Sequence, residues 1–220
     1  MVAAIALAGV TYRLGRSLYV SLTNSCNAVS LQQSRGPGFA ISGDFSPLPV
    51  GCEPDAQAVA DAVRQAFETS PGVFGNIVFA GAGDPLLRLH VLESSAQLIR
   101  DQYDGVQLRV NTNGLIANSG AADTAARLHS VGVSTVSVAL MTADPEQYSA
   151  LMKPEKLRLS PGFSLQLGHQ QVCGFVSACI AAGLNVECTA VRSPEVDIGA
   201  AEALAGELGA SFRARSWHPP

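Results

Sequence analysis

Along this chain the spacing of apolar positions switches repeatedly between two and three-to-four residues. Short runs rich in β-branched and aromatic residues read as strands: Leu18-Tyr-Val-Ser-Leu-Thr23, Asn76-Ile-Val-Phe-Ala-Gly81, Gln107-Leu-Arg-Val-Asn-Thr112, Ser134 to Leu140 and Asn185 to Val191. Between them lie helical patterns. Ala56 to Thr69 places Ala58, Val59, Ala62, Val63 and Ala66 on one side behind a capping Asp55, and Leu86 to Tyr103 does the same with Leu89, Leu92, Ala96 and Ile99. Further helices are predicted over Ala121 to Ser130, Asp144 to Leu151, Gln170 to Ala182 and Val196 to Leu208, with a sixth strand over Ser211 to Arg215. The residues from Pro154 to Gly168 are rich in breakers and predict irregular chain.

Strands that alternate with helices of ten or more residues imply right-handed βαβ crossovers and a mostly parallel sheet. Six such units close partly into a barrel or stay doubly wound, and periodicity does not choose between the two. Either architecture binds ligands at the carboxyl ends of its strands. The length suits one domain over residues 1–220. One stretch departs from the cycle. From Asn24 to Glu53, Gly36-Pro-Gly38, Ser42-Gly43, Ser46-Pro47, Pro49 and Gly51 forbid a continuous element. A structureless loop longer than about 15 residues in a compact domain points to function or mobility. It is expected to be mobile, or to fold over the mouth of the sheet on its own contacts.

Composition narrows the choices. Hydrophobic residues make up 47% of the chain and charged residues 15%, which demands a buried core. A net charge of −4 supplies no basic field for nucleic acid or anionic lipid, so a small-molecule ligand fits better. The apolar start, Met1 to Val10, lacks a basic lead and is too short to span a bilayer; a strand or ragged lead-in is expected, and no membrane span. Cys26, Cys52, Cys173, Cys179 and Cys188 are odd in number and irregular in spacing, which suggests thiols in a reducing compartment, the cytoplasm or an organelle interior. His90, His129, His169 and His218 match no metal-ligand spacing, and no nucleophile elbow or Walker loop is present. The end of the chain, Arg213 to His218, reads as a frayed tail.

Candidate chemistry collects at the strand ends, in Thr23-Asn-Ser-Cys26, Gly81-Ala-Gly-Asp-Pro85, Asn111-Thr-Asn-Gly114 and Ala139-Leu-Met-Thr142. Gly81 and Gly83 let backbone approach a ligand, and Asp84 is suited to accept from an ammonium group. The plainer alternative is a tight turn in which Asp84 caps the following helix, with Asn113-Gly114 a turn of the same kind.

In order, Leu18-Tyr-Val-Ser-Leu-Thr-Asn-Ser-Cys26, Phe79-Ala-Gly-Ala-Gly-Asp-Pro-Leu-Leu-Arg-Leu89 and Arg109-Val-Asn-Thr-Asn-Gly114 resemble the radical S-adenosylmethionine proteins, especially the group called TatD-associated. Val136 to Leu140, Tyr148-Ser-Ala-Leu-Met-Lys-Pro154 and Ala181 to Val191 extend the resemblance over residues 10–215. It implies a partial (β/α)6 barrel, a 4Fe-4S cluster on the loop after the first strand, and S-adenosylmethionine bound across the strand ends by Gly81, Ala82, Gly83, Asp84, Asn111, Asn113 and Ser137. Asp84 stands where the family carries Glu, one methylene longer. It also implies an association with a TatD-like metal-dependent hydrolase.

The loop breaks the family pattern. C-x-x-x-C-x-x-C begins at Cys26, but Ser30 and Gln33 occupy the other two positions. Thiolates hold such clusters, and neither a hydroxyl nor an amide replaces them at neutral pH. Cys26 is thus the one candidate metal ligand in the motif. Three readings follow: a pseudoenzyme that retains a small-molecule pocket or binds a partner, a radical enzyme with unconventional cluster ligands, and an unrelated small-molecule enzyme on the same barrel.

Overall fold

A computed structural model describes residues 8–160 and 163–220. The apolar start predicted as a strand or lead-in lies largely outside them. The fold is α/β with a mostly parallel, open seven-stranded sheet, as expected from the alternating pattern. Its chain is distributed over two compact units: Met1–Ser25, Ile41–Asn111 and Arg127–Ser134 form one, and Cys26–Ala40, Thr112–Ala126 and Thr135–Pro220 the other.

In the first unit, β1 (Thr11–Leu14) and β2 (Ser17–Val20) make an antiparallel hairpin that turns at Gly15, whose φ of 60° suits a glycine. β2 then pairs in parallel with β3 (Asn76–Phe79), and β3 with β4 (Gln107–Thr112), aligning Leu18 with Ile77 and Leu108, and Val20 with Phe79 and Val110. All six side chains are buried. Helices α1 (Ala56–Thr69) and α2 (Leu89–Gln102) pack together and bury Val59, Val63, Leu92, Ala96 and Ile99, the residues of the predicted apolar faces. Each large aliphatic side chain so removed from water contributes about 1.5–3 kcal/mol. Asp55 caps α1 by accepting from Ala58 N at 2.8 Å. The predicted helix from Leu86 begins instead as a 3-10 turn over Pro85–Arg88, and α2 proper starts at Leu89.

After α3 (Asn118–Ser130), β5 (Val133–Ala139) leads into the second unit. There α4 (Pro145–Met152), α5 (His169–Ala181), β8 (Asn185–Val191), α6 (Ile198–Glu207) and β9 (Ser211–Arg215) follow the predicted order. β5, β8 and β9 are parallel neighbours. Val136, Val138, Cys188 and Ala190 are buried among the strands, as are Val172, Phe175 and Val176 on α5 and Ala201 and Ala205 on α6.

Three local features differ from the sequence reading. The segment expected to be irregular from Pro154 to Gly168 contains an antiparallel hairpin, β6 (Lys156–Ser160) with β7 (Phe163–Gln166). In the sequence Pro154, Pro161, Gly162 and Gly168 crowd two strands of four or five residues, so no alternation registers. β1 was not separated from the lead-in for the same reason. The expected frayed tail is held as well: Arg35 Nε donates to Ser216 O at 2.7 Å, His218 N to Arg35 O at 2.8 Å and Gly38 N to His218 O at 3.2 Å. A Cβ at Gly36 or Gly38 would meet backbone oxygens of that tail within 2.3 Å. Among the described residues no helix is long and apolar enough to cross a membrane.

Candidate functional site at the strand ends

In the first unit, the chain leaving β2 meets the turn after β3. Gly83 N donates to Thr23 O at 3.1 Å and Asp84 N to Ser25 O at 2.9 Å, so the two segments are joined by backbone. The glycines make that approach possible: a Cβ at Gly83 would lie 2.1 Å from Ser25 O, and one at Gly81 would lie 2.5 Å from Ser21 Oγ. Ser21 Oγ is buried and has no hydrogen-bond partner. Asp84 is 5% exposed, and its Oδ1 accepts from Leu86 N at 3.0 Å. The plainer alternative for this motif therefore has a geometric basis, with Asp84 as a cap and the glycines as sites of close chain approach. Ala82 between them is half-buried. Asn111, on β4, accepts at Oδ1 from Arg109 Nε at 3.0 Å.

The far end of the long loop is fastened in the same unit. Asn24 holds Leu48 through both of its side-chain polar atoms, Nδ2 to Leu48 O at 2.8 Å and Leu48 N to Oδ1 at 3.1 Å. Thr23 Oγ1 donates to Glu53, and Arg88 sits 3.3 Å from the same carboxylate while donating to Leu22 O and Pro54 O at 3.0 and 2.7 Å.

In the second unit, Cys26 is half-buried and lies beside Asn113. Asn113 Nδ2 donates to Asn27 Oδ1 at 2.7 Å and approaches Cys26 Sγ at 3.6 Å, while its Oδ1 accepts from Leu115 N at 2.9 Å. A polar amide thus orients the thiol, and two candidates from separate strand ends, Cys26 and Asn113, come together. The two positions where the family has further cysteines do not supply ligands. Ser30 N donates to Gln33 Oε1 at 3.1 Å and Gln33 N to Ser30 Oγ at 3.3 Å, closing a small turn of their own. Among the described residues no group of three or more His, Cys, Asp or Glu side chains is arranged to hold a metal ion. The donor set shown at Cys26 is one sulfur beside the Asn113 amide, which does not fit a 4Fe-4S cluster.

Ser137 on β5 is 3% exposed and donates to Glu187 Oε1 on β8 at 3.2 Å. The same oxygen accepts from Arg213 Nε at 3.0 Å and lies 3.7 Å from the Arg215 guanidinium, both on β9. The sequence predicts a strand over Ser211 to Arg215 but does not single out its two arginines, or Glu187, as partners. The signal was present: in Ser211-Phe-Arg-Ala-Arg215 the two arginines alternate with smaller and apolar residues, so they share one face of a strand.

Burial acts on three of the other thiols, Cys173, Cys179 and Cys188. His169 Nε2 is 2.8 Å from Thr142 O, which assigns the ring proton to Nε2 and leaves Nδ1 to accept from Cys173 Sγ at 3.8 Å. Burial raises the Cys173 thiol and pushes those of Cys179 and Cys188 up to about 12.

No protein-family model matches the chain, and no curated protein does. Solved structures with this architecture do exist. SuiB from Streptococcus suis, bound to S-adenosylmethionine, superposes with a TM-score of 0.64 at 15% identity over 94% of this chain and 40% of its own. Methylornithine synthase PylB gives 0.59 at 14%, covering 92% and 53%, and the radical S-adenosylmethionine methyltransferase TsrM from Kitasatospora setae gives 0.55 at 15%, covering 89% and 35%. The chain spans roughly a third to a half of the length of these proteins. Its fold is that of the radical S-adenosylmethionine enzymes.

Proposed function

We propose that this chain is a radical-S-adenosylmethionine fold that works without an iron–sulfur cluster, binding a small molecule at the strand ends rather than generating a radical. The observation that carries the reading is the turn after Cys26, where Ser30 and Gln33 bond to each other in the positions that two further thiolates would need. Cluster assembly demands soft anionic ligands. Here one sulfur stands next to the Asn113 amide. Without a cluster there is no open iron to hold the amino and carboxylate groups of S-adenosylmethionine, so reductive cleavage has no starting complex. Retention of S-adenosylmethionine itself rests on the Gly81 to Asp84 turn, whose backbone is ordered by the segment leaving β2.

Anaerobic reconstitution with iron and sulfide tests this. The wild-type protein is expected to show no sulfide-to-iron charge-transfer absorbance and to release no 5′-deoxyadenosine from S-adenosylmethionine under reduction. S30C/Q33C, which recreates the family spacing after Cys26, is expected to take up iron and sulfide while cleaving S-adenosylmethionine weakly. A full cluster and 5′-deoxyadenosine from the unmodified chain would overturn the proposal.

A further inference from the structure

We propose that residues 35–39 are a docking site for an extended peptide, and that the chain's own residues 216–219 occupy it in cis as an exchangeable, autoinhibitory ligand. Both segments belong to the second unit, and the inference stands whether or not a cluster forms. The tail is held chiefly through its backbone. His218 N donates to Arg35 O at 2.8 Å and His218 O accepts from Gly38 N at 3.2 Å, so both main-chain groups of one tail residue are engaged, as in a strand added to a sheet edge. Arg35 Nε adds a bond to Ser216 O at 2.7 Å. Gly36 and Gly38 make this approach possible. A Cβ at either would overlap the backbone oxygen of His218 or Pro219, and one at Gly36 would also lie 2.7 Å from Trp217 Nε1.

Side chains add selectivity to these backbone ties. The His218 ring lies 5.3 Å from that of Phe39, and the Arg35 guanidinium sits over the same Phe39 ring at 4.5 Å from its centroid. None of residues 35–39 or 216–219 is buried. A segment fastened by a few exposed hydrogen bonds and ring contacts, with no apolar core of its own, opens locally far more often than the whole fold unfolds. Because each of these bonds meets a main-chain atom of the tail, another extended peptide can offer the same partners. Pro219 and Pro220 have no N–H and favour extended backbone, so the pairing stops after His218. The occupant this chemistry fits is a short extended peptide with an aromatic or imidazole side chain just before proline. A tethered tail acts at an effective concentration of about millimolar, so it excludes weaker peptides and yields to a tighter one.

Two measurements on the full-length protein test this, with a synthetic peptide spanning Arg215 to Pro220 and carrying Trp217→Phe. Trp217 is the only tryptophan of the chain, so its emission reports the tail. Titrating the peptide into wild type is expected to shift that emission saturably to longer wavelengths, as the half-buried indole is released to water. Anisotropy of the fluorescein-labelled peptide reads affinity. H218P removes the N–H donated to Arg35 and frees the site. It is expected to bind the peptide about tenfold more tightly than wild type, the factor set by a tail seated about nine-tenths of the time. H218P/F39L, which lacks the ring facing the peptide's histidine, is expected to bind several-fold more weakly than H218P. Absence of saturable binding to H218P, equal affinity in H218P and wild type, unchanged Trp217 emission at saturation, or undiminished affinity in folded H218P/F39L would each overturn the proposal. So would an H218P protein that fails to fold, since the tail would then be part of the fold rather than an exchangeable ligand.

Discussion

Substituting Gly83 by alanine tests whether the glycines of the turn after β3 serve the chain or leave room for a ligand. The added Cβ would lie 2.1 Å from Ser25 O and 2.7 Å from both Asn24 C and Ser25 N. All three are backbone atoms, so no side-chain rotation relieves the overlap. The segment after β2 has to move, and two hydrogen bonds move with it, Gly83 N to Thr23 O and Asp84 N to Ser25 O. Overpacking of this kind costs about 1–3 kcal/mol, and weakening two backbone bonds brings the total to about 2–4 kcal/mol. For a chain of this size that corresponds to a fall in Tm of about 4–16 °C. Gly43 is the control, since a Cβ there meets nothing within 4 Å and its φ is not left-handed; Gly43→Ala is expected to be neutral or stabilising by up to about 1 kcal/mol. Thermal unfolding followed by circular dichroism reads both. A Gly83→Ala protein melting within about 2 °C of wild type would refute the packing argument.

Asp144 caps α4 by accepting from Glu146 N at 2.8 Å and Gln147 N at 3.2 Å, so Asp144→Ala is expected to lose about 0.5–2 kcal/mol in urea denaturation. Burial pushes the Cys179 and Cys188 thiols up to about 12 from 9.0, and Cys173 and Glu187 add to the shift at Cys188. The native thiols therefore stay protonated where those of the unfolded chain ionise, and stability is expected to fall as pH rises from about 9 toward 12. Replacing both by alanine should flatten that slope in denaturation measured across this range, and an unchanged slope would count against the burial.

The parallel strands and the helices between them were legible because each strand is an apolar run set against a longer amphipathic helix, as Asn76–Phe79 and Gln107–Thr112 are against Ala56–Thr69 and Leu89–Gln102. The β6–β7 hairpin was not, since four or five residues next to Pro161-Gly162 cannot outweigh the breakers. The departure from the family's cysteine spacing at Ser30 and Gln33 is a feature of the sequence itself. What the spacing could not give was the mutual turn of Ser30 and Gln33, because side-chain to backbone bonds over three residues leave no mark on hydropathy. Nor could it give the role of Glu187. Its two arginine partners lie more than twenty residues away, and only the parallel register of β8 with β9 brings them to it.

These local bonds also give the loop after Cys26 a conformation of its own. A metal centre at the Cys26 loop would order that loop by tying three side chains to one point. Here the segment from Cys26 to Ala40 has other ties. Val29 N donates to Met152 O at 2.7 Å, Glu155 N to Asn27 O at 2.8 Å, and Arg35 and Gly38 bond the chain that follows β9. Each backbone bond contributes only about 0.5–1.5 kcal/mol net, but together they fix the segment at several points along its length. Gly36 and Gly38 are required there because the backbone oxygens of His218 and Pro219 lie within 2.3 Å of where a Cβ would stand. A loop fastened by its own amides and glycines does not need metal for its conformation. It follows that S30C/Q33C must break the Ser30–Gln33 turn before three thiolates can converge, so its uptake of iron should be slow relative to a flexible loop, and its stability without metal should be below that of wild type. Metal-free S30C/Q33C as stable as wild type would show that the turn contributes nothing.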